Sequence, residues 1–418
     1  MTQAETGSVT GGGPTELRPT ALAERVQVLD VLRGLALFGV LTVNVENAFS
    51  SGWFRPVAGT NAADAAVNWF VKLFLHGKAM SLLTFLFGMG FALQLARAEE
   101  RGQNIAATYA RRLFFLLVIG LCHTVLWWGD VTSHYALLGF VLIAFRHCRP
   151  RTLLLWAAVL VLVPQLVMAL PGVTPALRHA LGQPESEDSL REFVVAAVRG
   201  PDFGAATRAQ LQHYASYLAQ IVGWYAAWIL GRFLLGYYAG RRHLFDRDGA
   251  THLAFFRRLL RWAAALAIVT AAASSVIHAR FMEQYELLLP AQLASVAVIE
   301  VEVLSMTAVY IAVVVLLMQR PAVRRVLLGF APLGRMPLTV YLSQTVIATF
   351  LFYGWGLGLS GRIGPAASLG IVIAIYSAQL VACRFWLSRF RFGPIEWLWR
   401  TLSYGKRQPM RLSAARAS

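Results

Sequence analysis

The sequence predicts an all-α, polytopic membrane protein with about ten transmembrane helices and with both termini in the cytoplasm. Its 418 residues are 57% hydrophobic and only 14% charged, whereas a soluble domain carries about 25% charged residues. Its apolar runs are long enough to cross a bilayer as helices. Loops rich in arginine alternate with loops that nearly lack it, and positive residues beside transmembrane helices stay on the cytoplasmic side. Composition, run length and charge alternation thus indicate class, topology and orientation together.

The chain divides into a tail, a membrane bundle and a second tail. Residues 1–24 are predicted to be a disordered cytoplasmic tail, residues 25–387 the bundle, and residues 388–418 a cytoplasmic interfacial tail. The first apolar run starts too late and is too long for a cleavable signal peptide, so we expect it to remain as the first anchor. The ten predicted spans are 32–52, 78–97, 112–129, 131–146, 152–171, 217–239, 258–278, 293–318, 337–358 and 366–387.

Two further segments are predicted to be helical outside the ten spans. Residues 62–76 carry Trp69 and Phe70 beside Lys72, a pattern typical of an amphipathic helix at the membrane interface. Residues 172–216 form the longest outer excursion, with acidic and basic residues in balance, and are too short to be a domain of their own.

The charge and cysteine patterns exclude several classes of partner. A formal charge of +17 would suggest nucleic acid in a soluble protein. Here the arginines lie in short loops between apolar spans, so they are expected to fix topology and to contact anionic lipid. The three cysteines form no CxxC pair, so neither a disulfide framework nor a zinc site is indicated.

The first span carries polar residues at two depths. Asp30 and Arg33 are three residues apart and share a helix face. They form either an ion pair that pins the inner end of the helix, or a site in which Arg33 faces a cavity and binds a phosphate or carboxylate. Asn44 lies about 16 Å further along the axis, and Glu46 lies nearer the outer face. One helix can therefore reach both the inner interface and the outer half of the membrane.

Other polar residues cluster at the outer level. Ionisable groups inside a bilayer are costly, so each is a candidate site residue. His76 opens the second span, His123 lies deep in the third, and Asp130 closes its outer end. A neutral imidazole near a carboxylate suits general acid–base chemistry, although a lone helix histidine is more often a packing residue. No HxxxH or HxxE spacing occurs within a helix, so no metal site is predicted. His134, Glu300 and Glu302 lie at the same level.

Arg232 is an intramembrane arginine in the sixth span. It lies too far from the inner end for simple snorkelling. It is therefore expected either to pair with a carboxylate or to face a cytoplasmic cavity. Gly236 and Gly240 follow at four-residue spacing, which lets helices approach closely.

Several motifs resemble the YeiB-like family, a domain-of-unknown-function family (number 418) of bacterial membrane proteins. They cover most of the chain in order, and the stretch near the C-terminus is the most specific. The matching stretches are 29–34 (LDVLRG), 43–44 (VN), 77–78 (GK), 85–91 (FLFGMGF), 120–123 (GLCH), 129–130 (GD), 135–139 (YALLG), 333–336 (LGRM), 392–400 (FGPIEWLWR) and 404–406 (YGK).

The family in turn resembles a broader group of transmembrane acyltransferases, which includes the acyltransferase-three proteins and heparan-α-glucosaminide acetyltransferase. This resemblance implies an acyltransferase-like helical bundle in the bacterial cytoplasmic membrane. It also implies transfer of an acyl group from cytoplasmic acyl-coenzyme A, as co-substrate, to a small-molecule or glycan acceptor near the outer face. Arg33 matches an arginine early in the group's first helix, and Asn44 stands where the lumenal acetyltransferase has an asparagine. Arg33, Asn44 and Arg232 are therefore the residues expected to bind the donor.

One departure limits the resemblance. The group's usual catalytic histidine lies in or just after the first helix, and this chain has no histidine between Asp30 and Leu75. An acyltransferase mechanism would need His76, His123 or Glu46 as the base, with Asp130 as a helper. The alternative hypotheses are a transporter or export factor for a small metabolite, or an accessory subunit of another membrane complex.

Overall fold

The computed structural model describes residues 26–50, 61–99, 105–182, 188–217, 220–281 and 289–412. Throughout these ranges the regular elements are helices, and an isolated bridge between Phe390 and Arg411 is the only β pairing. The all-α prediction is therefore confirmed for the described chain. The predicted tail over residues 1–24 lies outside the described residues.

Seventeen α-helices are found within the described ranges. Five helices begin with a proline: α6, α13, α15, α16 and α17. Proline suits this position because the N–H that it lacks would have no partner within the helix. The helices are α1 (Gln27–Asn44), α2 (Ala62–Phe70), α3 (Lys78–Glu99), α4 (Ile105–Thr124), α5 (Thr132–Ala144), α6 (Pro150–Met168), α7 (Val173–Ala180), α8 (Asp188–Arg199), α9 (Phe203–Ser216), α10 (Ala226–Arg241), α11 (Leu253–Phe281), α12 (Leu289–Leu317), α13 (Pro321–Leu327), α14 (Ala331–Arg335), α15 (Pro337–Phe352), α16 (Pro365–Leu387) and α17 (Pro394–Tyr404).

Several of these helices are long and apolar enough to cross a membrane. By length and composition, the described residues hold six such helices, or up to eight if each of two bent pairs is one span. One pair bends by 52° before α10, and the other bends by 76° where α13 and α14 meet α15. The protein is thus a multi-pass membrane protein, and the count of ten spans stays a prediction. Helix α5 has only 13 residues and is followed by a 3-10 turn over Phe145–His147.

Glycines bring the helices of the bundle close together. Helix α3 packs against α10, and a Cβ on Gly88 would collide with the carbonyl oxygen of Phe233. A Cβ on Gly236 would likewise collide with the carbonyl oxygen of Phe85. A Cβ on Gly240 would collide with the side chain of Ala92 in α3. The close approach predicted from the glycine spacing in α10 is therefore confirmed. Helix α1 packs against α3, α14 and α15.

The two segments outside the predicted spans are helical where the structure describes them. Helix α2 continues in π-helical form to Leu75, and a turn with φ of +72° at Gly77 separates it from α3. Asp64 of α2 accepts the N–H of Ala366 at 2.9 Å, which caps α16. Helices α7, α8 and α9 lie within the segment 172–216, and Gln210 of α9 donates a hydrogen bond of 2.7 Å to the Tyr353 hydroxyl. Both segments are therefore docked on the bundle.

Candidate functional site

A cavity of about 390 Å³ enters the bundle between α1, α3, α4, α15 and α17. Its mouth is defined here as the end lined by Arg33, Arg97, Arg112, Arg335 and Arg400. These arginines belong to the basic loops and helix ends that the sequence assigned to one side of the membrane. The mouth is therefore suited to binding an anion, because a guanidinium presents several N–H donors and a fixed positive charge.

Arg33 forms the predicted ion pair with Asp30 and also lines the cavity, while anion binding by Arg33 stays a prediction. It lines the cavity, and one guanidinium nitrogen lies 2.8 Å from a carboxylate oxygen of Asp30. The Arg33 side chain is 25% exposed, compared with 10% for Asp30. The ion pair therefore orients Arg33 at the mouth without removing it from the cavity wall.

The middle of the cavity is apolar and deep. Leu37, Val40, Leu83, Leu113 and Leu116 line it. Along α3 the wall runs from the mouth to Met80, about 25 Å at 1.5 Å per residue. A hydrocarbon core is about 30 Å thick, so the cavity crosses most of that distance. Its shape suits a long, narrow and largely apolar group.

The C-terminal helix forms one side of the mouth. Trp399 of α17 donates from Nε1 to the carbonyl oxygen of Arg112 at 2.8 Å, and the Arg112 guanidinium lies 4.4 Å from the centre of the Trp399 ring. Arg112 also donates to the Tyr404 hydroxyl at 3.0 Å. The segment predicted as an interfacial tail therefore contributes directly to the cavity, which its tryptophans alone did not indicate.

A buried carboxylate beside the mouth serves the fold. Glu396 accepts the N–H groups of Leu338 and Thr339 at 2.6 and 3.0 Å, together with the Thr339 hydroxyl at 2.5 Å. These donors lie in the first turn of α15, where the helix dipole favours negative charge. Burial raises the pKa of Glu396 above its ordinary value. Glu396 thus stabilises the first turn of α15.

A buried His–Asp pair lies beyond the apolar part of the cavity. His123, in the last turn of α4, has Nδ1 at 2.8 Å from Oδ1 of Asp130. His123 is 4% exposed and Asp130 is 2% exposed. The second carboxylate oxygen of Asp130 accepts the N–H of Ser133 at 2.7 Å, in the first turn of α5. The loop between α4 and α5 therefore brings together two of the residues that the sequence selected.

The contact with Asp130 selects the tautomer of the neutral His123 ring. The Asp130 carboxylate can only accept hydrogen bonds, so in the neutral imidazole Nδ1 carries the hydrogen and Nε2 has a lone pair. Nε2 is buried and has no hydrogen-bond partner among the described residues. A neutral imidazole oriented in this way by a carboxylate is the arrangement of a general base.

Tyr341 joins the cavity to the His–Asp pair. It lines the deep end of the cavity, and its ring centre lies 5.2 Å from that of His123. Its hydroxyl donates to the carbonyl oxygen of Gly129 at 3.4 Å and accepts the N–H of Val131 at 3.4 Å. The sequence did not single out Tyr341, because it lies on a helix more than 200 residues from His123 and no spacing connects them.

A second histidine is bound to the same aspartate. His134 Nδ1 lies 2.8 Å from the backbone carbonyl oxygen of Asp130, and His134 Nε2 is buried without a partner in the described chain. The ring of His134 faces Tyr214 and Tyr225, with ring centres 5.9 and 5.8 Å away. His134 was placed at the outer level from the sequence but was not selected as a site residue.

Three other predicted residues, His76, Asn44 and Glu46, have no described contact with this pair. His76 Nδ1 lies 3.1 Å from the Asn47 side-chain nitrogen. Asn44 is the last residue of α1, and Glu46 belongs to the π-helical turn that follows it. The described cavity wall on α1 ends at Val40, short of both residues.

Arg232 forms the ion pair that was one of its two expected arrangements. Its guanidinium lies 2.6 Å from Glu300, donates to the Ser81 hydroxyl at 3.0 Å and covers the Trp228 ring at 3.7 Å. Arg232 is 1% exposed, and it is absent from the described cavity wall. The nearby pair Lys78–Glu302, at 2.7 Å, is also buried. These charges join α3, α10 and α12.

Comparison with known proteins assigns the chain to a family. It is 34% identical to a Bacillus subtilis (strain 168) protein, "Uncharacterized protein YxaH", over 95% of this chain and 98% of the relative. The family model described as "Protein of unknown function (DUF418)" matches residues 239–406. The chain belongs to the DUF418 family. This DUF418 protein is also 28% identical to "Uncharacterized protein YeiB" of Escherichia coli (strain K12), over 91% of this chain and 96% of the relative.

A third relative covers the chain to a similar extent. It is the "Uncharacterized 39.9 kDa protein in amylase 3'region" of Bacillus acidopullulyticus, 28% identical over 94% of this chain and 98% of the relative. In this DUF418 protein the matched region 239–406 supplies Tyr341 and the α17 side of the mouth. The His123–Asp130 pair lies before that region. The site therefore combines both halves of the chain.

Proposed function

We propose that this DUF418 protein is a transmembrane acyltransferase. The donor, acyl-coenzyme A, would enter through the arginine-lined mouth, and the acceptor would react beside His123 and Asp130. One observation carries the proposal: Tyr341 is at once the deep wall of the cavity and a contact of the His123 ring. A long ligand bound in the cavity would thus have its inner end next to an oriented base.

The cavity matches the parts of acyl-coenzyme A in order. Its phosphates would contact the arginines, among them Arg33 and Arg112, because guanidinium groups bind phosphate oxygens in bidentate fashion. The pantetheine arm is long and narrow and would occupy the leucine-lined middle. The thioester would then lie near Tyr341. Asn44 and Arg232 have no donor contact in this proposal, because the described wall includes neither.

The proposed chemistry uses His123 as the base. Its Nε2 would take the proton from an acceptor hydroxyl or amine while the acceptor attacks the thioester carbonyl carbon. The carbon–sulfur bond would then break, and His123 would return the proton to the sulfur of coenzyme A. A positioned base contributes about 10²–10⁴-fold in rate, and positioning of the two substrates supplies a further large factor. Asp130 would hold His123 in the required tautomer. His76 and Glu46 have no role here.

The orientation forms part of the proposal. We infer that the arginine-rich mouth and both termini face the cytoplasm and that the chain crosses the membrane ten times. The alternation of basic and neutral loops supports this orientation. A cytoplasmic mouth would face the compartment that supplies acyl-coenzyme A. The outer loops would then lie near the His123–Asp130 end.

Cysteine labelling tests the orientation. In a background with Cys122, Cys148 and Cys383 replaced by serine, Leu357→Cys lies in the exposed turn after α15, and Lys406→Cys lies in the exposed segment after α17. We expect a membrane-impermeant maleimide to label Leu357→Cys on intact cells and Lys406→Cys only after permeabilisation. The cysteine-free protein is the control. The opposite pattern would rule out the proposed orientation.

Filling the cavity tests the donor site. Gly90 lines the cavity, and a Cβ there would have no atom within 4 Å. Gly90→Leu should keep the fold, because leucine favours a helix more than glycine does by about 0.8 kcal/mol. It should weaken acyl-coenzyme A binding to the purified protein by at least about tenfold, since the side chain occupies the ligand's space. Calorimetry in detergent measures the dissociation constant.

Gly370→Leu is the matched control. Gly370 lies in α16 and is exposed, and a Cβ at this position would also have no atom within 4 Å. We expect its affinity for acyl-coenzyme A to equal that of the unmodified protein. Equal affinity in the unmodified protein, Gly90→Leu and Gly370→Leu would show that the cavity is not the donor site. No binding by the unmodified protein, together with uptake of a metabolite by proteoliposomes without any donor, would favour transport instead.

A further inference from the structure

Two buried ring nitrogens on neighbouring side chains, next to Asp130, have no hydrogen-bond partner among the described residues. They are Nε2 of His123 and Nε1 of Trp127. The two ring centres are 6.3 Å apart, with the ring planes at 74°. Buried polar groups are nearly always hydrogen-bonded, so both nitrogens can form a hydrogen bond with a ligand that reaches this end of the site.

The two nitrogens have complementary hydrogen-bonding roles. His123 Nε2 carries a lone pair and accepts, because its Nδ1 is bonded to Asp130. The indole Nε1 of Trp127 can only donate. A neutral hydroxyl or primary amine satisfies both, since it donates one hydrogen and accepts another through its lone pair. A carbonyl or phosphate oxygen cannot donate to His123, and an ammonium group cannot accept from Trp127.

The backbone holds Trp127 in this position. Its N–H donates to the carbonyl oxygen of His123 at 3.2 Å, and its ring packs against Phe49 with ring centres 5.1 Å apart. The ring also lies against Gly129, where a Cβ would collide with it. Trp127 is therefore fixed beside His123 by the loop that also carries Asp130.

We propose that His123 Nε2 and Trp127 Nε1 together bind the nucleophilic hydroxyl or amine of the acceptor. This inference rests on the proposed acyltransferase function and adds Trp127 as the residue that orients the neutral hydroxyl or primary amine of the acceptor. Trp127 donates to the nucleophile and orients it while His123 removes its proton. The new carbon–oxygen or carbon–nitrogen bond replaces the carbon–sulfur bond, and the proton leaves with the thiol.

Hydroxylamine is a suitable probe because it is small and both donates and accepts. With acetyl-coenzyme A it yields acetohydroxamate and free coenzyme A, and both products are measured above the uncatalysed rate. We expect Trp127→Phe in the full-length protein to raise the KM for hydroxylamine about tenfold, because one neutral hydrogen bond is lost. Acetyl-coenzyme A binding should stay unchanged. Trp128→Phe, in the same loop with its ring against His213, should leave the KM unchanged.

A second variant separates loss of the indole N–H from any change in the fold. Benzothienylalanine at position 127 replaces only the indole N–H by sulfur and should give the same rise in KM. An unchanged KM in this variant, or an equal rise in Trp128→Phe, would overturn the inference while leaving the proposed function standing. Donor binding without hydroxamate formation by the unmodified protein would also overturn it. Failure of the unmodified protein to bind acetyl-coenzyme A would overturn the proposed function, and the inference with it.

Discussion

Asp130→Asn should lower kcat for acyl transfer by about 10²–10⁴-fold while leaving acyl-coenzyme A binding unchanged. Asparagine offers one acceptor oxygen and one NH₂ donor. The Ser133 N–H needs an acceptor, so the asparagine oxygen stays with Ser133 and the NH₂ group faces Nδ1 of His123. His123 would then carry its hydrogen on Nε2, where a base needs a lone pair. In serine proteases the equivalent change lowers kcat by about 10⁴-fold.

The measurement is hydroxylamine-dependent release of coenzyme A at saturating donor. Asp202→Asn is the control, because Asp202 is an exposed residue that caps α9 through the N–H of Gly204. Asparagine caps helices as well as aspartate does, so kcat should not change. If Asp130→Asn kept more than about a tenth of kcat, His123 would not be the base. If Asp130→Asn also lost acyl-coenzyme A binding, the substitution would have disrupted the site as a whole instead of changing only the tautomer of His123.

The fold class followed from the sequence because it depends on local properties. Run length and composition predict membrane helices, and four-residue glycine spacing predicts that α10 approaches another helix closely, which the structure shows to be α3. The limits of some spans were also predictable. Residues 131–146 were predicted as one span, and α5 with the 3-10 turn that follows it covers residues 132–147.

The candidate site was only partly predictable for a different reason. Sequence gives the depth of a residue along a span but not the direction in which it faces. The sequence selected His123 and Asp130, which the structure brings together, and also His76, which the structure places with Asn47. The aromatic residues Tyr341 and Trp127 were missed because their importance comes from neighbours on other helices or from an unpaired ring nitrogen. Aromatic residues in apolar runs have no distinguishing pattern.

Arg232 had two expected arrangements, and only contacts distant in sequence separate them. Glu300 is 68 residues away from it, so no helical spacing predicts the pair. The bond to Ser81 places the arginine against α3, one residue after Met80 of the cavity wall. Arg232 thus acts on the site indirectly, by holding α10 and α12 to the helix that lines the cavity.

Arg232→Met should therefore destabilise the protein by about 3–5 kcal/mol, because it leaves the buried Glu300 carboxylate without its countercharge. Glu300 would keep only the 2.8 Å bond from Trp228 Nε1 among its described partners. The double variant Arg232→Met/Glu300→Gln should recover most of the loss, since a neutral amide needs no countercharge. Arg324→Met removes a more exposed pair, with Asp248 at 3.4 Å, and should cost less than about 1 kcal/mol. Chemical unfolding in detergent measures the three free energies of unfolding. Equal losses for Arg232→Met and the double variant would show that Arg232 stabilises the bundle through its packing on Trp228 and not through its charge.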